Sequence, residues 1–128
     1  MQETPFIACV DDDDSVGEAI REMLMALDLN AEAYSSADAF LRSGQLDQTA
    51  CLITDVTMRG MSGFQLMKRL AEIGYRIPTI VVTAYANEKT RAEAAGAGAV
   101  GFLPKPVAKK ELLACIQSAL IRGHGPST

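Results

Sequence analysis

Four consecutive acidic residues, Asp11 to Asp14, directly follow the apolar segment Phe6–Val10. Carboxylates at this density repel one another, so some of them bind a proton or a cation unless water screens them all. Oxygen ligands of this kind suit Mg²⁺ or Ca²⁺, and open α/β sheets bind ligands at the carboxyl ends of their strands. A solvated acidic turn that begins a helix is the alternative, and this segment by itself leaves both interpretations open.

Three further polar residues, Asp55, Thr83 and Lys105, each stand at the end of another short apolar segment. Taken singly, they are explained as a turn former, a β-branched strand end and a surface charge. The carboxyl ends of parallel strands meet at one edge of a sheet, so we expect all three to lie near Asp11 and Asp12. Three carboxylates that can hold Mg²⁺, a hydroxyl donor and an ammonium suit phosphoryl transfer to a carboxylate.

The segments that would position these residues alternate between strand and helix patterns. The predicted strands are Phe6–Val10, Leu29–Tyr34, Ala50–Thr54, Thr79–Thr83 and Val100–Leu103. The predicted helices are Val16–Leu27 with a Ser15/Glu18 capping box, Ala37–Arg42, Gly63–Ile73, a short helix from the cap Asn87 to Ala95, and Lys109–Ile121. This alternation predicts an α/β fold with a doubly wound parallel sheet and right-handed crossovers.

Composition indicates one globular domain and excludes several classes of function. The chain has 128 residues, of which 48% are hydrophobic and 22% charged, with a net charge of −4. Because no basic stripe is present, we expect no direct binding of nucleic acid. The three cysteines lack metal-ligand spacing and indicate free thiols in a reducing compartment. No positively charged leader and no apolar run of membrane-spanning length are seen, so we predict a cytoplasmic protein without membrane contact.

The chain resembles the CheY-like response-regulator receiver domains, and most of all the kind found in nitrogen-fixation two-component regulators. The resemblance covers Phe6 to Leu120 and rests on motifs in the family's order and at similar spacing. These motifs are Val10-Asp11-Asp12, Asp55-Val56-Thr57-Met58 with Gly63, Val82-Thr83-Ala84, and Lys105-Pro106. It implies a flavodoxin-like (βα)5 fold with five helices and strand order 2-1-3-4-5. Residues 1–121 would be the receiver domain, and 122–128 a flexible tail or the start of a linker.

The resemblance also implies a role for each residue of the site. Asp55 would accept a phosphoryl group from the phosphohistidine of a sensor histidine kinase, assisted by Lys105 and Thr83. Mg²⁺ would be bound by Asp55, by Asp12 directly and by Asp11 through water. The backbone carbonyl of Thr57 would complete the metal site. The domain would not be an enzyme beyond catalysing its own phosphorylation and slow dephosphorylation.

A switch pair, Thr83 and Phe102, would pass the phosphorylation signal on. In the family the hydroxyl moves toward the phosphoryl group and the aromatic ring turns inward, and the Lys105-Pro106 peptide bond is cis. The signalling surface would be the fourth helix, fifth strand and fifth helix, about residues 87 to 121. The resemblance implies control of transcription through a C-terminal DNA-binding domain outside this chain. It also implies a phosphorylation-dependent homodimer through the same surface.

Two positions draw particular hypotheses. The family usually has proline where this chain has Arg59, followed by Gly60. The loop would then be more mobile, and Arg59 would either approach the phosphate or the kinase or lie in solvent. Tyr85 would lie over the acyl phosphate and slow the attack of water on it.

Three other classes of protein remain as alternatives. A haloacid-dehalogenase-type phosphatase needs a second aspartate two positions after Asp55, where this chain has Thr57. A flavodoxin-like cofactor carrier lacks support, because acids stand where its phosphate loop would be. A pseudo-receiver that docks partners without taking phosphate is disfavoured by the retention of both Asp11 and Asp12, together with Asp55, Thr83 and Lys105.

Overall fold

The computed structural model describes residues 5–123, in which strands alternate with helices. The strands are β1 (Phe6–Val10), β2 (Asn30–Tyr34), β3 (Thr49–Asp55), β4 (Thr79–Thr83) and β5 (Gly101–Pro104). The helices are α1 (Asp14–Met25), α2 (Ala37–Leu41), α3 (Gly63–Glu72), α4 (Glu88–Gly96) and α5 (Lys109–Gly123), with a 3-10 helix at Leu46–Gln48. All strands are parallel, in the order β2-β1-β3-β4-β5. The predicted doubly wound fold is confirmed.

Two hydrophobic cores cover the two faces of the sheet. Helices α1 and α5 cover one face, where Leu24 and Ile116 are fully buried. Helices α2 and α3 cover the other, where Phe40 and Leu66 are fully buried. Strands buried on both faces need no polar alternation, which is why β1, β3 and β4 have continuous apolar sequences. No helix in residues 5–123 is long and apolar enough to cross a membrane.

Helix α1 begins differently from the prediction. The predicted Ser15/Glu18 capping box is wrong, because the N-cap is Asp13 and the helix starts at Asp14. One Asp13 carboxylate oxygen accepts hydrogen bonds from the backbone N–H of Ser15 at 3.0 Å and from its hydroxyl at 2.7 Å. An aspartate is as good an N-cap as a serine, and here it also uses the serine hydroxyl as a donor.

Several other element boundaries differ slightly from the predictions. Strand β3 extends one residue further at each end, so Asp55 is its last residue rather than the residue after it. Helix α5 continues to Gly123, two residues beyond its predicted end at Ile121 and into the first part of the predicted tail 122–128. The remainder of that predicted tail lies outside the described residues. The Lys105-Pro106 peptide bond is cis, as predicted, and Asn87 caps α4 through a hydrogen bond from the Thr90 N–H.

Candidate functional site

The candidate site lies where β1, β3, β4 and β5 end. The strand register pairs Val10 with Thr54, so Asp11 and Asp55 extend from neighbouring strands at the same level. On the other side of β3, Asp55 itself pairs with Val82 of β4. The sequence-predicted acids therefore meet at one edge of the sheet because the parallel register brings the strand ends together.

An ion-pair triad forms the centre of the site. The Lys105 ammonium nitrogen lies 2.8 Å from Asp55 Oδ2, to which it donates a hydrogen bond, and 2.8 Å from Asp11 Oδ2. Asp11 and Asp55 are only 2% and 6% exposed, so water screens their charges poorly. One ammonium thus offsets the charge of two buried carboxylates.

The pKa values in this triad shift in the directions that burial and pairing dictate. Burial raises the pKa of Asp11 above its ordinary value and repulsion from Asp55 adds to this, while attraction to Lys105 acts against it. For Lys105, burial by itself would lower the pKa, but contact with the carboxylates Asp11 and Asp55 raises it overall. Lys105 is therefore a fixed positive charge at neutral pH.

Asp12 lies at the outer side of the triad and contacts the loop after β3. Its Oδ2 accepts a hydrogen bond from the backbone N–H of Arg59 at 2.9 Å. The Nε of the Arg59 side chain is 3.4 Å from the same oxygen. Although the Arg59 side chain is 88% exposed, it therefore lies at the site rather than away from it. The 88% exposure agrees with the hypothesis of a solvent-exposed arginine, and the contact with Asp12 places that arginine beside the acidic cluster.

The three carboxylates fit a divalent cation of the hard, oxygen-preferring kind. One ligand oxygen from each of Asp11, Asp12 and Asp55 lies within 4.8 Å of the others. Asp11 Oδ2 is buried and is paired with the Lys105 ammonium at 2.8 Å. Carboxylates grouped this closely repel one another, and a bound cation would offset their charge together with the ammonium.

The backbone around Asp55 fixes the position of its side chain. The Thr57 N–H donates to Asp55 Oδ1 at 3.3 Å, which places the Thr57 backbone next to the carboxylate. The N-terminus of α3 approaches β3 so closely that a Cβ at Gly63 would overlap the Asp55 carbonyl oxygen. Only glycine permits this approach, so Gly63 holds the loop 56–62 against the end of β3.

The last two acids of the acidic segment differ from the first two. Asp13 is exposed and serves as the α1 cap, and hydrogen bonding from Ser15 lowers the pKa of its carboxyl group. Its backbone N–H donates to Asp11 Oδ1 at 2.9 Å, which links the start of α1 to the site. Asp14 is exposed in the first turn of the helix. The division between Asp11 and Asp12 at the site and Asp13 and Asp14 at the helix therefore agrees with the contacts.

Thr83 and Phe102 occupy neighbouring strands at the same edge of the sheet. The Thr83 hydroxyl is buried and accepts a hydrogen bond from the backbone N–H of Tyr85 at 2.9 Å. Phe102 does not enter the acidic cluster. Its half-buried ring lies under the Arg91 guanidinium of α4, with 4.7 Å between the Arg91 Cζ and the ring centroid. Sequence reasoning missed this contact, because nothing in the local pattern connects a residue of α4 with one of β5.

Fold and site together define a doubly wound α/β domain with an acidic cluster and a lysine at its strand ends, the arrangement of a receiver. Residues 7–117 match the family model of the response regulator receiver domain. The chain belongs to this family and is a receiver domain of two-component response regulators.

Similar proteins agree with this assignment. The chain is 40% identical over 115 residues to the response regulator protein TmoT of Ectopseudomonas mendocina, covering 89% of this chain and 52% of that protein. It is 34% identical over 122 residues to the transcriptional regulatory protein FixJ of Azorhizobium caulinodans, covering 95% of this chain and 58% of FixJ. The predicted similarity to nitrogen-fixation regulators is confirmed.

Solved structures agree as well. The structure of FixJ-N matches with a TM-score of 0.82 at 31% identity, covering 94% of this chain and 95% of that one. The response regulator StyR matches with a TM-score of 0.86 at 35% identity, covering 95% of this chain and 62% of that one. The chain spans about half the length of the curated relatives it matches.

Proposed function

We propose that this receiver domain accepts a phosphoryl group on Asp55 from the phosphohistidine of a sensor histidine kinase. A carboxylate oxygen of Asp55 attacks phosphorus, the phosphorus–nitrogen bond breaks, and the imidazole leaves with the bonding pair and takes up a proton. The observation that carries the proposal is the Lys105 ammonium, which lies 2.8 Å from both Asp55 Oδ2 and Asp11 Oδ2. Such an arrangement offsets the charge of the Asp55 carboxylate and keeps a positive charge where the phosphoryl oxygens arrive.

Asp11, Asp12, Asp55 and the backbone carbonyl of Thr57 are the groups that would hold Mg²⁺. When bound, the cation would offset the negative charge of the phosphoryl oxygens. The proximity of three carboxylate oxygens, two of them from buried residues, supports this assignment. The Thr57 N–H bond to Asp55 Oδ1 shows that the backbone of Thr57 lies beside this carboxylate.

Within the same proposal, Thr83 and Phe102 transmit the phosphorylated state. The Thr83 hydroxyl would donate to a phosphoryl oxygen while it still accepts from the Tyr85 N–H, since a hydroxyl can do both. Phe102 would turn inward and leave its place under Arg91. The surface formed by α4, β5 and α5 would then bind a partner or a second phosphorylated copy of the chain.

The output of the domain is part of the proposal. Relatives about twice as long as this chain carry the names of transcriptional regulatory proteins. We expect a receiver of residues 1–121, in a cytoplasmic regulator with a C-terminal DNA-binding domain. Phosphorylation of Asp55 would then control transcription.

The direct test is phosphorylation by acetyl phosphate with Mg²⁺, followed by mass spectrometry of the intact protein and its peptides. We expect one added phosphoryl group, on the peptide that contains Asp55. Asp55→Asn should add none, whereas Asp47→Asn, at another aspartate near β3, should behave as the wild type. Absence of the gain in the wild type would leave the pseudo-receiver docking module as the better account. An equal gain in Asp55→Asn would place the phosphoryl group on another residue and contradict the assignment of Asp55.

A second comparison tests the assignment within the acidic segment. Asp12→Asn should abolish Mg²⁺-dependent phosphorylation, since Asp12 contributes an oxygen to the proposed cation site. Asp14→Asn should retain it, since Asp14 is exposed in the first turn of α1. Similar losses in both variants would contradict the division of the segment.

A further inference from the structure

Arg59 and Asp12 form a contact that bears directly on the proposed cation site. Asp12 Oδ2 accepts from the Arg59 backbone N–H at 2.9 Å and lies 3.4 Å from the Nε of its guanidinium. The same aspartate supplies one of the three oxygens of the acidic cluster. Two donors of one residue thus converge on a single oxygen of a proposed metal ligand.

The guanidinium affects a bound cation in two ways. It forms an ion pair with the Asp12 carboxylate, and a cation that takes this carboxylate as a ligand competes with that ion pair. It also places a permanent positive charge at a site that must attract a second one. Both effects oppose binding of a divalent cation.

The backbone donor and the side-chain donor contribute differently. The N–H of residue 59 is present whatever side chain the residue carries, so it holds the Asp12 carboxylate in place in most variants. The Arg59 side chain is 88% exposed, so its removal disturbs little else. Substitution of the side chain therefore isolates the effect of the charge on the cation site.

We propose that Arg59 sets the cation affinity of the site, by holding Asp12 in an ion pair that a divalent cation must displace. This inference rests on the proposed function, because it assumes that Asp11, Asp12 and Asp55 bind the cation. Arg59 is a positioning residue in this account, since it acts through Asp12. The proposal concerns binding of the metal before any phosphoryl group arrives.

The test measures cation binding itself, by calorimetry with Mg²⁺ and by electron paramagnetic resonance of free Mn²⁺. Exposed ion pairs are worth up to about 1 kcal/mol, so Arg59→Gln should bind either cation roughly two- to fivefold more tightly than the wild type. Arg59→Lys keeps the charge and should remain within about twofold of the wild type. The matched control is Arg42→Gln, which breaks an exposed arginine–aspartate pair with Asp38 on α2 and should leave cation affinity unchanged.

Salt provides a second readout that a merely structural role would not give. Raising ionic strength from about 0.02 M to about 0.5 M shortens the screening length, so the affinity ratio of Arg59→Gln to wild type should fall toward one. A ratio that does not change with salt would contradict a role through charge.

The outcomes separate this inference from the function on which it rests. If the wild type binds the cation and Arg59→Gln binds it equally or more weakly, the role of Arg59 is wrong and the cation site stands. If neither protein binds Mg²⁺ or Mn²⁺, the proposed cation site is wrong and the inference falls with it. If Arg59→Gln gains cation affinity while Arg59→Lys and Arg42→Gln do not, the cation site and the role of Arg59 are both supported.

Discussion

Helices α1 and α4 lie on either side of the candidate site and are held very differently. Helix α1 buries Ile20 and Leu24 in the core that it shares with α5. Helix α4 buries Ala94 alone, and no residue of α4 belongs to either hydrophobic core of the described residues. A methyl group removes much less apolar surface from water than a leucine side chain, so α4 is the more weakly held helix.

The two helices are also connected to the site by different contacts. The cap of α1, Asp13, donates its backbone N–H to Asp11, so this helix shares a hydrogen bond with the acidic cluster. Helix α4 contacts the switch pair through Arg91, whose guanidinium stacks on the Phe102 ring. Because Arg91 is exposed, solvent weakens this cation–π interaction. The comparison indicates a rigid side that maintains the geometry of the acids and a weakly held side that can shift when the site changes.

The largest loss in the free energy of unfolding should come from a substitution on the buried face of α1. Leu24→Ala removes a fully buried side chain and should lower the free energy of unfolding by about 2–5 kcal/mol. Ala92→Gly, on the exposed face of α4, should cost only about 0.5–1 kcal/mol of helix propensity. Urea unfolding of both variants measures the difference. Similar losses would contradict the contrast between the helices.

Next in size is the loss of the ammonium in the triad. Lys105→Met leaves Asp11 and Asp55 buried without their counter-charge, and should destabilise the metal-free protein by roughly 1–3 kcal/mol at neutral pH. The pKa of Lys105 in the folded protein is raised above its ordinary value of 10.5. The stability that the charged ammonium adds to the fold is therefore complete below pH 10.5, and it is lost only as the pH rises through the folded-state pKa. Lys109→Met, at an exposed lysine, is the control, and an equal loss there would argue against the triad.

Asp11→Asn should stabilise the metal-free protein, whereas Lys105→Met should destabilise it. It removes a buried charge, so it should raise the melting temperature by roughly 2–5 °C without metal, while it weakens Mg²⁺ binding. The pKa of Asp11 is raised, so this residue stabilises the fold most when protonated, below its unfolded pKa of about 3.8, and loses that contribution as pH rises through the folded value. The advantage of Asp11→Asn should therefore grow from acid toward neutral pH in thermal melts. A variant less stable than the wild type at neutral pH would contradict this.

The smallest effect concerns the contact between α4 and the switch aromatic. Arg91→Ala removes the guanidinium that lies over Phe102 and should cost about 0.5–1 kcal/mol, the value of an exposed cation–π pair. Amide exchange in α4 should become faster as well. Lys89→Ala on the same helix should change neither quantity, and an equal change there would assign the effect to helix propensity instead.

Much of the fold and of the site was predictable because both depend on short sequence patterns. Continuous apolar segments marked β1, β3 and β4, and the parallel arrangement then required Asp11 and Asp55 to meet. The helix cap was not predictable in the same way, since Asp13 and Ser15 are both good caps and only the backbone decides between them. The contact of Arg59 with Asp12 depends on the conformation of a loop, for which no periodic pattern exists.

The most direct test of the central claim is hydrogen–deuterium exchange of the domain with and without acetyl phosphate and Mg²⁺. We predict altered exchange in peptides from α4 and β5, residues 88–104, and little change in α1, residues 14–25. Asp55→Asn should show neither change under the same conditions. Equal changes in both helices, or the same changes in Asp55→Asn, would contradict the claim that phosphorylation of Asp55 is read through the weakly held side of the domain.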